Sequence, residues 1–282
     1  MKLMMFAHGG KTRLGVVQGE EVVAVAGAGV PVDLAGVIAG GDAALTAVEA
    51  AAASGERFKV ADVTPALPLA HPGKFICVGL NYALHAKEGG HDIPTYPSFF
   101  PRYATSLVPA GGNVIRPKSS VTLDYECELA FIIGKGGRHI SEADALDHVF
   151  GYTLFNDVSV REYQRKTSQW TPGKNFDGTG AFGPVVVTPD ELPPGASGLR
   201  ITTRVNGETM QDSNTEDMIF TVANIIATLS EFMTLEPGDV VATGTPSGVA
   251  HARKPPAWMK AGDVVEVEVE KIGVLRNPVV DE

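Results

Sequence analysis

The sequence predicts a β-rich α+β fold, with a small N-terminal α/β module at residues 1–68 and a larger domain at residues 69–282. Two observations lead to this fold class. Many short runs rich in β-branched residues alternate with Gly, Pro, Asn and Asp turns, which is typical of a β-rich core. Two longer stretches have a helical period, one near the N-terminus and one late in the larger domain.

The N-terminal module is predicted to combine short strands with one helix. The runs LMMFA, RLGVV and EVVAV are β-rich, whereas LAGVIAGGDAALTAVEAAAAS has a helical period. The following stretch VTPALPLAHPGK, around residues 63 to 74, contains repeated prolines, which favour an extended connector. It therefore marks the predicted domain boundary.

The larger domain is predicted to contain many short strands and one well-defined helix. The predicted strands are KFICVG, YECELAFIIG, HVFGYTLF, PVVVT, LRITTRVNG, DVVATG and VVEVEVEKIG. The helix is predicted within NTEDMIFTVANIIATLSEFMTLEPGD, where apolar residues recur on one face. Thr215 is placed to cap its start, and Pro237 and Gly238 follow its end.

Composition and charge limit the classes of partner. With 44% hydrophobic and 20% charged residues, the chain resembles ordinary globular proteins. Its formal net charge of -10 repels nucleic-acid phosphates and anionic membrane surfaces, so neither nucleic acid nor a membrane is expected as a partner. An acidic substrate would need a locally positive site.

Cysteine content and the start of the chain predict a cytoplasmic location. Cys77 and Cys127 are the only cysteines and lack metal-ligand spacing, so a reducing compartment is favoured. The start MKLMMFAHGGK has an apolar run too short for a signal peptide. No later stretch is expected to reach the roughly 20 apolar residues that span a bilayer.

Two glutamates interrupt the predicted strand LDYECELAF, residues 123 to 131. Glu126 and Glu128 share one face of that strand with Ala130 and Ile132. A solvent-facing polar strand is one interpretation, but the two apolar neighbours indicate an interior or cleft, where unpaired carboxylates are costly. A divalent cation would remove that cost, because carboxylate oxygens suit Mg²⁺, Mn²⁺ or Ca²⁺.

Asp157 is the best third acid for such a site. The predicted strand in GYTLFNDVSVREYQ ends at Asn156 and Asp157. A turn or helix-cap aspartate is the alternative interpretation. Three acids from two neighbouring strands would form an open octahedral site, with positions left for water and substrate oxygens.

A candidate general base lies in NYALHAKE, residues 81 to 88. His85 and Glu88 are three residues apart, so on a helix they face the same side. A carboxylate that binds one imidazole nitrogen raises the basicity of the other, as a general base requires. A surface hydrogen bond is the alternative, and the EGGHDIP stretch that follows could move as a lid.

Two further loops are candidates for binding an anionic substrate. In TPGKNFDGTGAFGP, Lys174 could stabilise an enolate oxygen, although a loop lysine is often simply solvated. The GTGAFG run there is not read as a dinucleotide fingerprint, because Pro184 and a strand follow instead of a helix. In VVATGTPSGV, backbone N–H groups and the hydroxyls of Thr243 and Thr245 could meet a carboxylate, or the segment is only a tight turn.

Together these motifs resemble the fumarylacetoacetate hydrolase family over roughly residues 70 to 280. The similar blocks occur in consistent order and are NYALHAKE, the E-x-E of YECELAF, FNDVS, GKNFD, RVNGETMQDSNTEDMIF and LEPGDVVATGTPSGV. The resemblance implies a mixed β-sandwich roll, usually a homodimer, that binds one Mg²⁺ or Mn²⁺, with Ca²⁺ as a further candidate. Its expected substrate is a small anionic 2-oxo or 2,4-dioxo acid.

The resemblance also assigns roles to nine residues. The expected metal ligands are Glu126, Glu128 and Asp157; the water-activating pair is His85 with Glu88; the charged partner of substrate oxygens is Lys174; and the substrate contacts are Arg161, Gln164 and Thr245. The chain departs from the family in its GTGAFG run and in Arg102, where a lysine is common. Both departures are expected near the substrate entrance.

The expected reaction is hydrolytic cleavage of a carbon–carbon bond in an acylpyruvate or fumarylpyruvate type of 2,4-dioxo acid. In that scheme His85 activates water, and cations stabilise the departing enolate. The alternative is isomerisation, tautomerisation or decarboxylation of a 2-oxo acid such as oxaloacetate or 2-hydroxyhepta-2,4-diene-1,7-dioate, which also needs a stabilised enolate. A binding homologue without catalysis is the third hypothesis.

Overall fold

The computed structural model describes residues 1–282, and its fold is mostly β. The N-terminal elements are β1 (Lys2–His8), β2 (Lys11–Gln18), β3 (Glu21–Ala24), α1 (Leu34–Ala52), β4 (Arg57–Lys59) and β5 (Thr64–Pro65). The central elements are β6 (Phe75–Gly79), α2 (Ala83–Glu88), β7 (Ser98–Pro101), β8 (Leu107–Pro109), β9 (Val114–Arg116), β10 (Leu123–Asp124), β11 (Cys127–Ile133), β12 (Val149–Asp157), β13 (Ser159–Val160), α3 (Arg161–Gln164), α4 (Thr171–Lys174) and β14 (Gly180–Val187). The C-terminal elements are β15 (Arg200–Val205), β16 (Glu208–Asn214), α5 (Val222–Phe232), β17 (Val240–Ala242), β18 (Val264–Val269) and β19 (Gly273–Asp281).

The strands form one large mixed sheet and two smaller sheets, which confirms the predicted fold class. The large sheet has 12 strands, with the central order β1-β14-β12-β11-β17-β6. A five-stranded sheet, in the order β16-β15-β18-β19-β9, packs on one of its faces, and β10 pairs with β13. Strands β11 and β12 therefore lie near the centre of the molecule, where their ends position the candidate site.

Both faces of β11 are buried, which explains why its sequence alternates without a solvent-facing side. Leu129 and Phe131 point into the core shared with the five-stranded sheet. Ala130 and Ile132 point into a second core on the opposite face. The face that carries Glu128 is therefore internal, as its apolar neighbours predicted.

The N-terminal strands continue the large sheet. Strand β1 pairs antiparallel with β14, with Leu3 opposite Val186. Apolar side chains of α1 pack in the same core as Leu3. The division of the chain at residue 68 stays a prediction.

Helix α1 corrects one sequence expectation. It spans 19 residues and is apolar enough, by length and composition, to cross a bilayer. Its inner face, which includes Val37 and Val48, is buried against the protein. Core helices of soluble proteins meet the same criterion, so the absence of a membrane segment stays a prediction.

The late helix is present but starts later than predicted. Helix α5 begins at Val222, and the Thr221 hydroxyl accepts a hydrogen bond from the Asn224 N–H at 3.2 Å. Thr215 is not its cap, since the Thr215 hydroxyl donates to the Ala196 carbonyl at 2.7 Å. Residues 215–217 instead form a separate helical turn capped by Asn214.

Candidate metal centre and active site

Three buried carboxylates form the centre of the site. Ligand oxygens of Glu126, Glu128 and Asp157 all lie within 4.8 Å of one another. Their residues are only 4%, 1% and 0% exposed. We call these three residues the acidic cluster.

The pairing of β11 with β12 brings the cluster together. Cys127 lies opposite Asn156, so the start of one strand meets the end of the other. The Asp157 N–H donates to the Glu126 carbonyl at 2.9 Å, and the Glu126 N–H donates to the Asn156 side-chain oxygen at 3.0 Å. Because Asn156 replaces the regular ladder partner, β11 begins at Cys127 and the Glu126 side chain turns toward Asp157.

Three buried cations neutralise much of this negative charge. Lys174 donates to Glu126 at 2.6 Å and to Asp157 at 2.7 Å. Nη2 of Arg161 lies 2.6 Å from a Glu126 oxygen, and Nη1 of Arg102 lies 3.4 Å from Oδ1 of Asp157. Glu128 has no side-chain cation as a direct partner and accepts one hydrogen bond, from the Gly244 N–H at 2.9 Å.

This uneven pairing separates the pKa values of the two glutamates. Burial, together with the charges of Asp157 and Glu126, raises the pKa of Glu128 well above its ordinary value. Burial would also raise the pKa of Glu126, but Arg161 and Lys174 outweigh it and hold that pKa below its ordinary value. The cluster therefore lacks positive charge at Glu128.

The residues of the acidic cluster fit a hard divalent cation. All three ligand groups are carboxylates, which Mg²⁺ and Mn²⁺ prefer over nitrogen or sulfur ligands. Oδ1 of Asp157 is fully buried and has no hydrogen-bond partner in the protein, so it retains a free lone pair. A dication would also compensate the charge of Glu128.

The predicted base and its carboxylate are paired as the sequence suggested. On α2, Nδ1 of His85 lies 2.8 Å from Oε1 of Glu88. The other Glu88 oxygen accepts a hydrogen bond from the Gly248 N–H at 2.9 Å. Since Nδ1 is occupied, Nε2 of His85 is the nitrogen available to a substrate.

A cavity of about 440 Å³ connects the base to the acidic cluster. His85, Glu126 and Glu128 line it. Its walls also include all three predicted substrate contacts and the predicted cation, namely Arg161, Gln164, Thr245 and Lys174. The structure thus brings the predicted site residues into one place, while their individual roles stay predictions.

Two residues in the predicted anion-binding loops have other partners. Lys174 is not a loop lysine: it ends α4, is 2% exposed, and pairs with the acidic cluster. The Thr243 hydroxyl is not free, because it donates to the Leu129 carbonyl at 2.9 Å. Thr245 does line the cavity, and Gln211 fixes it by donating to its hydroxyl at 2.9 Å.

The two departures from the family pattern pack against each other, away from the substrate entrance. Arg102 is buried behind Asp157 and does not line the cavity. Gly180, in the GTGAFG run, lies against it, and a Cβ at this position would overlap Nη2 of Arg102. The expectation that these residues lie at the entrance is therefore wrong, since the larger guanidinium needs the space that the glycine leaves.

Sequence reasoning missed three residues that position the site. Asp124 is fully buried; it accepts from Nε of Arg161 at 2.7 Å and from the Ala250 N–H at 2.7 Å. Asn81 donates to the Thr243 carbonyl at 2.7 Å and so connects the start of α2 to the Thr245 loop. Gln211 was also missed. These side chains contact partners far away in the chain, so the local sequence carries no signal for them.

Comparison with known proteins agrees with this geometry. Residues 74–280 match the family model for the fumarylacetoacetate (FAA) hydrolase C-terminal domain. A mitochondrial oxaloacetate tautomerase of Xenopus laevis is 46% identical over 215 residues, which cover 76% of this chain and 67% of the relative.

Solved structures match the whole chain. The fumarylacetoacetate hydrolase of Exiguobacterium antarcticum has 38% identity and a TM-score of 0.87, with 100% of both chains covered. The maleylpyruvate hydrolase of Sphingobium sp. SYK-6, solved with manganese(II) ion and pyruvate, has 30% identity and a TM-score of 0.84, covering 100% of this chain and 99% of that one. The matched blocks, the fold and the three-carboxylate site agree, and the chain belongs to the fumarylacetoacetate hydrolase family.

Proposed function

We propose that this protein is a divalent-metal-dependent enzyme that forms the enolate of a small 2-oxo acid, and that its reaction is the keto–enol tautomerisation of oxaloacetate. The main support is one cavity lined by His85, which pairs with Glu88, and by Glu126 and Glu128 of the buried three-carboxylate cluster. The 46% identity with an oxaloacetate tautomerase favours this reaction among those that share an enolate.

The metal and the base have complementary tasks in this proposal. A dication held by Glu126, Glu128 and Asp157 would act as a Lewis acid toward the 2-oxo group. Nε2 of His85 removes a proton from the neighbouring carbon, and Glu88 stabilises the imidazolium that results. Proton return to oxygen gives the enol, and return to carbon gives the ketone.

The cavity wall supplies contacts for the substrate carboxylate. Arg161 is fixed by Asp124 on one side and donates to the Gln164 side chain at 2.9 Å on the other. The Thr245 hydroxyl is fixed by Gln211. Because these side chains are already ordered by neighbours, they lose little further conformational entropy when they orient a bound acid.

The test is the conversion of enol-oxaloacetate to the ketone by purified protein with Mg²⁺ or Mn²⁺. The loss of enol absorbance measures this conversion. We expect the protein to accelerate this conversion over the rate in buffer, and we expect EDTA to abolish the acceleration. Ca²⁺ serves as a third metal for comparison. No acceleration with any of the three metals would contradict the tautomerase proposal.

The second candidate function is hydrolysis of a 2,4-dioxo acid. The His85–Glu88 pair can also activate water, and the similar fold of a maleylpyruvate hydrolase favours this reaction. Pyruvate release from acetylpyruvate and fumarylpyruvate distinguishes it from tautomerisation. Turnover of neither substrate class would favour a binding protein without catalysis.

A homodimer and a cytoplasmic location are further proposals, supported by the family resemblance and by the two unpaired cysteines. Light scattering during size-exclusion chromatography gives the oligomeric state. Cell fractionation gives the location.

A further inference from the structure

We infer that Arg165 binds a second, distal carboxylate of the substrate, so that the cavity prefers dicarboxylic over monocarboxylic 2-oxo acids. This inference rests on the proposed function, because it assumes that a 2-oxo acid occupies the cavity. Arg165 lines the same cavity as His85, Glu126 and Glu128. It is exposed, and its guanidinium forms no ion pair or hydrogen bond with another residue of the chain.

The net charge at the base of the cavity compensates only one substrate carboxylate. Four buried carboxylates face three buried cations, namely Asp124, Glu126, Glu128 and Asp157 against Arg102, Arg161 and Lys174. With these groups ionised, a bound dication changes the net charge from minus one to plus one. That single positive charge matches the carboxylate next to the 2-oxo group, so a second carboxylate needs a separate cation.

Arg165 is placed one helical turn beyond Arg161. Its N–H bonds to the Arg161 carbonyl at 3.3 Å, which continues the helical spacing of α3. Residues four apart lie on the same helix face, about 6 Å apart along the axis. Arg161 is buried and contacts Glu126, whereas Arg165 lines the same cavity and is exposed.

The neighbouring Lys166 differs from Arg165, because its ammonium has a partner within the protein and because it does not line the cavity. The Lys166 ammonium lies 3.4 Å from the centroid of the Tyr163 ring, and Lys166 does not line the cavity. The other exposed residues at the rim beside Arg165 are Thr167 and His91. Arg165 is therefore the only arginine or lysine at the rim, and its planar guanidinium suits two-point binding of a carboxylate.

The experiment compares Arg165→Gln with Lys166→Gln, which removes the same charge from the adjacent position, and with Arg165→Lys. Binding of (S)-malate and (S)-lactate to the Mn²⁺-loaded proteins is measured by calorimetry. The two ligands share a 2-hydroxy acid end, and only malate has the distal carboxylate. The KM for oxaloacetate is measured in parallel.

We expect Arg165→Gln to weaken malate binding about tenfold and to leave lactate binding unchanged, because one charge-assisted contact is lost. Lys166→Gln should change neither affinity, and Arg165→Lys should recover part of the malate affinity. Equal weakening of both ligands, weakening of neither, or the same effect from Lys166→Gln would overturn the assignment. Absence of oxaloacetate turnover in the unmodified protein would reject the proposed reaction, while the binding comparison would still decide the role of Arg165.

Discussion

The acidic cluster and helix α2 face the same cavity but are held in different ways. The cluster lies at the joined ends of β11 and β12, and each of its carboxylates has a buried partner. Helix α2 has six residues, and its Leu84 is 64% exposed. His85 depends on a single chain of contacts through Glu88 to the Gly248 N–H.

This contrast separates two tasks of the site. Groups that hold charge are fixed by strand pairing and by several ion pairs, so they keep their geometry without a substrate. The group that moves a proton lies on a short, partly exposed helix, where local opening costs less free energy. The segment after α2, residues 89–97, contains two glycines and exposes Ile93 and Tyr96. Changes in the cluster should therefore affect metal binding and stability, whereas changes in α2 should affect turnover alone.

The largest expected effect is that of Asp157→Asn. The amide keeps the shape of the side chain but removes one anionic ligand. The affinity for the metal should therefore fall by more than the roughly 10- to 100-fold that changes around a ligand typically cost. Calorimetric titration with Mn²⁺ measures this loss, and circular dichroism checks that the fold is retained. Unchanged Mn²⁺ affinity would contradict the assignment of the cluster as a metal site.

The next largest effect is that of His85→Ala. Loss of a general base lowers kcat by about 10²- to 10⁴-fold, whereas the Mn²⁺ affinity should stay the same because His85 is not a ligand. His71→Ala, which changes an exposed histidine, is the matched control. Equal losses of kcat and Mn²⁺ affinity would remove the distinction between the cluster and α2.

The two glutamates should have opposite effects on the stability of the metal-free protein. The pKa of Glu128 is raised in the folded state. The contribution of Glu128 to stability therefore decreases as the pH rises above the pKa of a glutamate in the unfolded chain, about 4.3. Glu128→Gln should therefore stabilise the metal-free protein at pH 7.

The pKa of Glu126 is lowered in the folded state, so its contribution to stability is present above the unfolded value and is lost as the pH falls. Glu126→Gln should therefore destabilise the protein at pH 7. Urea unfolding of both variants between pH 4 and pH 8 measures these changes. Effects of the same sign would show that the two sites do not differ in charge balance.

The smallest expected effect is that of Gly180→Ala. The added Cβ would overlap Nη2 of Arg102, and overpacking of this kind typically costs about 1 to 3 kcal/mol. Arg102→Lys removes Nη2. The double variant should therefore lose less stability than the sum of the losses in the two single variants. Strict additivity in urea unfolding would show that the two residues are not coupled.

The sequence predicted more of the acidic cluster than of its surroundings. The E-x-E spacing placed Glu126 and Glu128 on one face, and the apolar residues beyond them indicated that the face is internal. The position of Asp157 at a strand end suggested a third ligand. Each of these signals lies within a few residues of the acid that it concerns, where the strand period fixes side-chain direction.

The partners of these acids were less predictable. Lys174 is 48 residues from Glu126 and 17 from Asp157, and it was expected to contact substrate oxygens. Gln211 is 34 residues from Thr245, and the family block that contains it assigned this glutamine no role. Arg102, a departure from the family pattern, was expected near the substrate entrance, and only its contacts with Gly180 and Asp157 show where it lies.

Local sequence pattern was sufficient to identify the β-rich class, the family blocks and the faces on which the acids and the His85–Glu88 pair lie. The family blocks were identified by resemblance, whereas the β-rich class and these faces depend on strand and helix periods, which act over a few residues. Folding of the sheets determined which cation neutralises which carboxylate and which arginine lies at the rim of the cavity. It also left Glu128 without a cationic partner. Those contacts join distant segments, so they depend on strand register and sheet order, which no local period specifies.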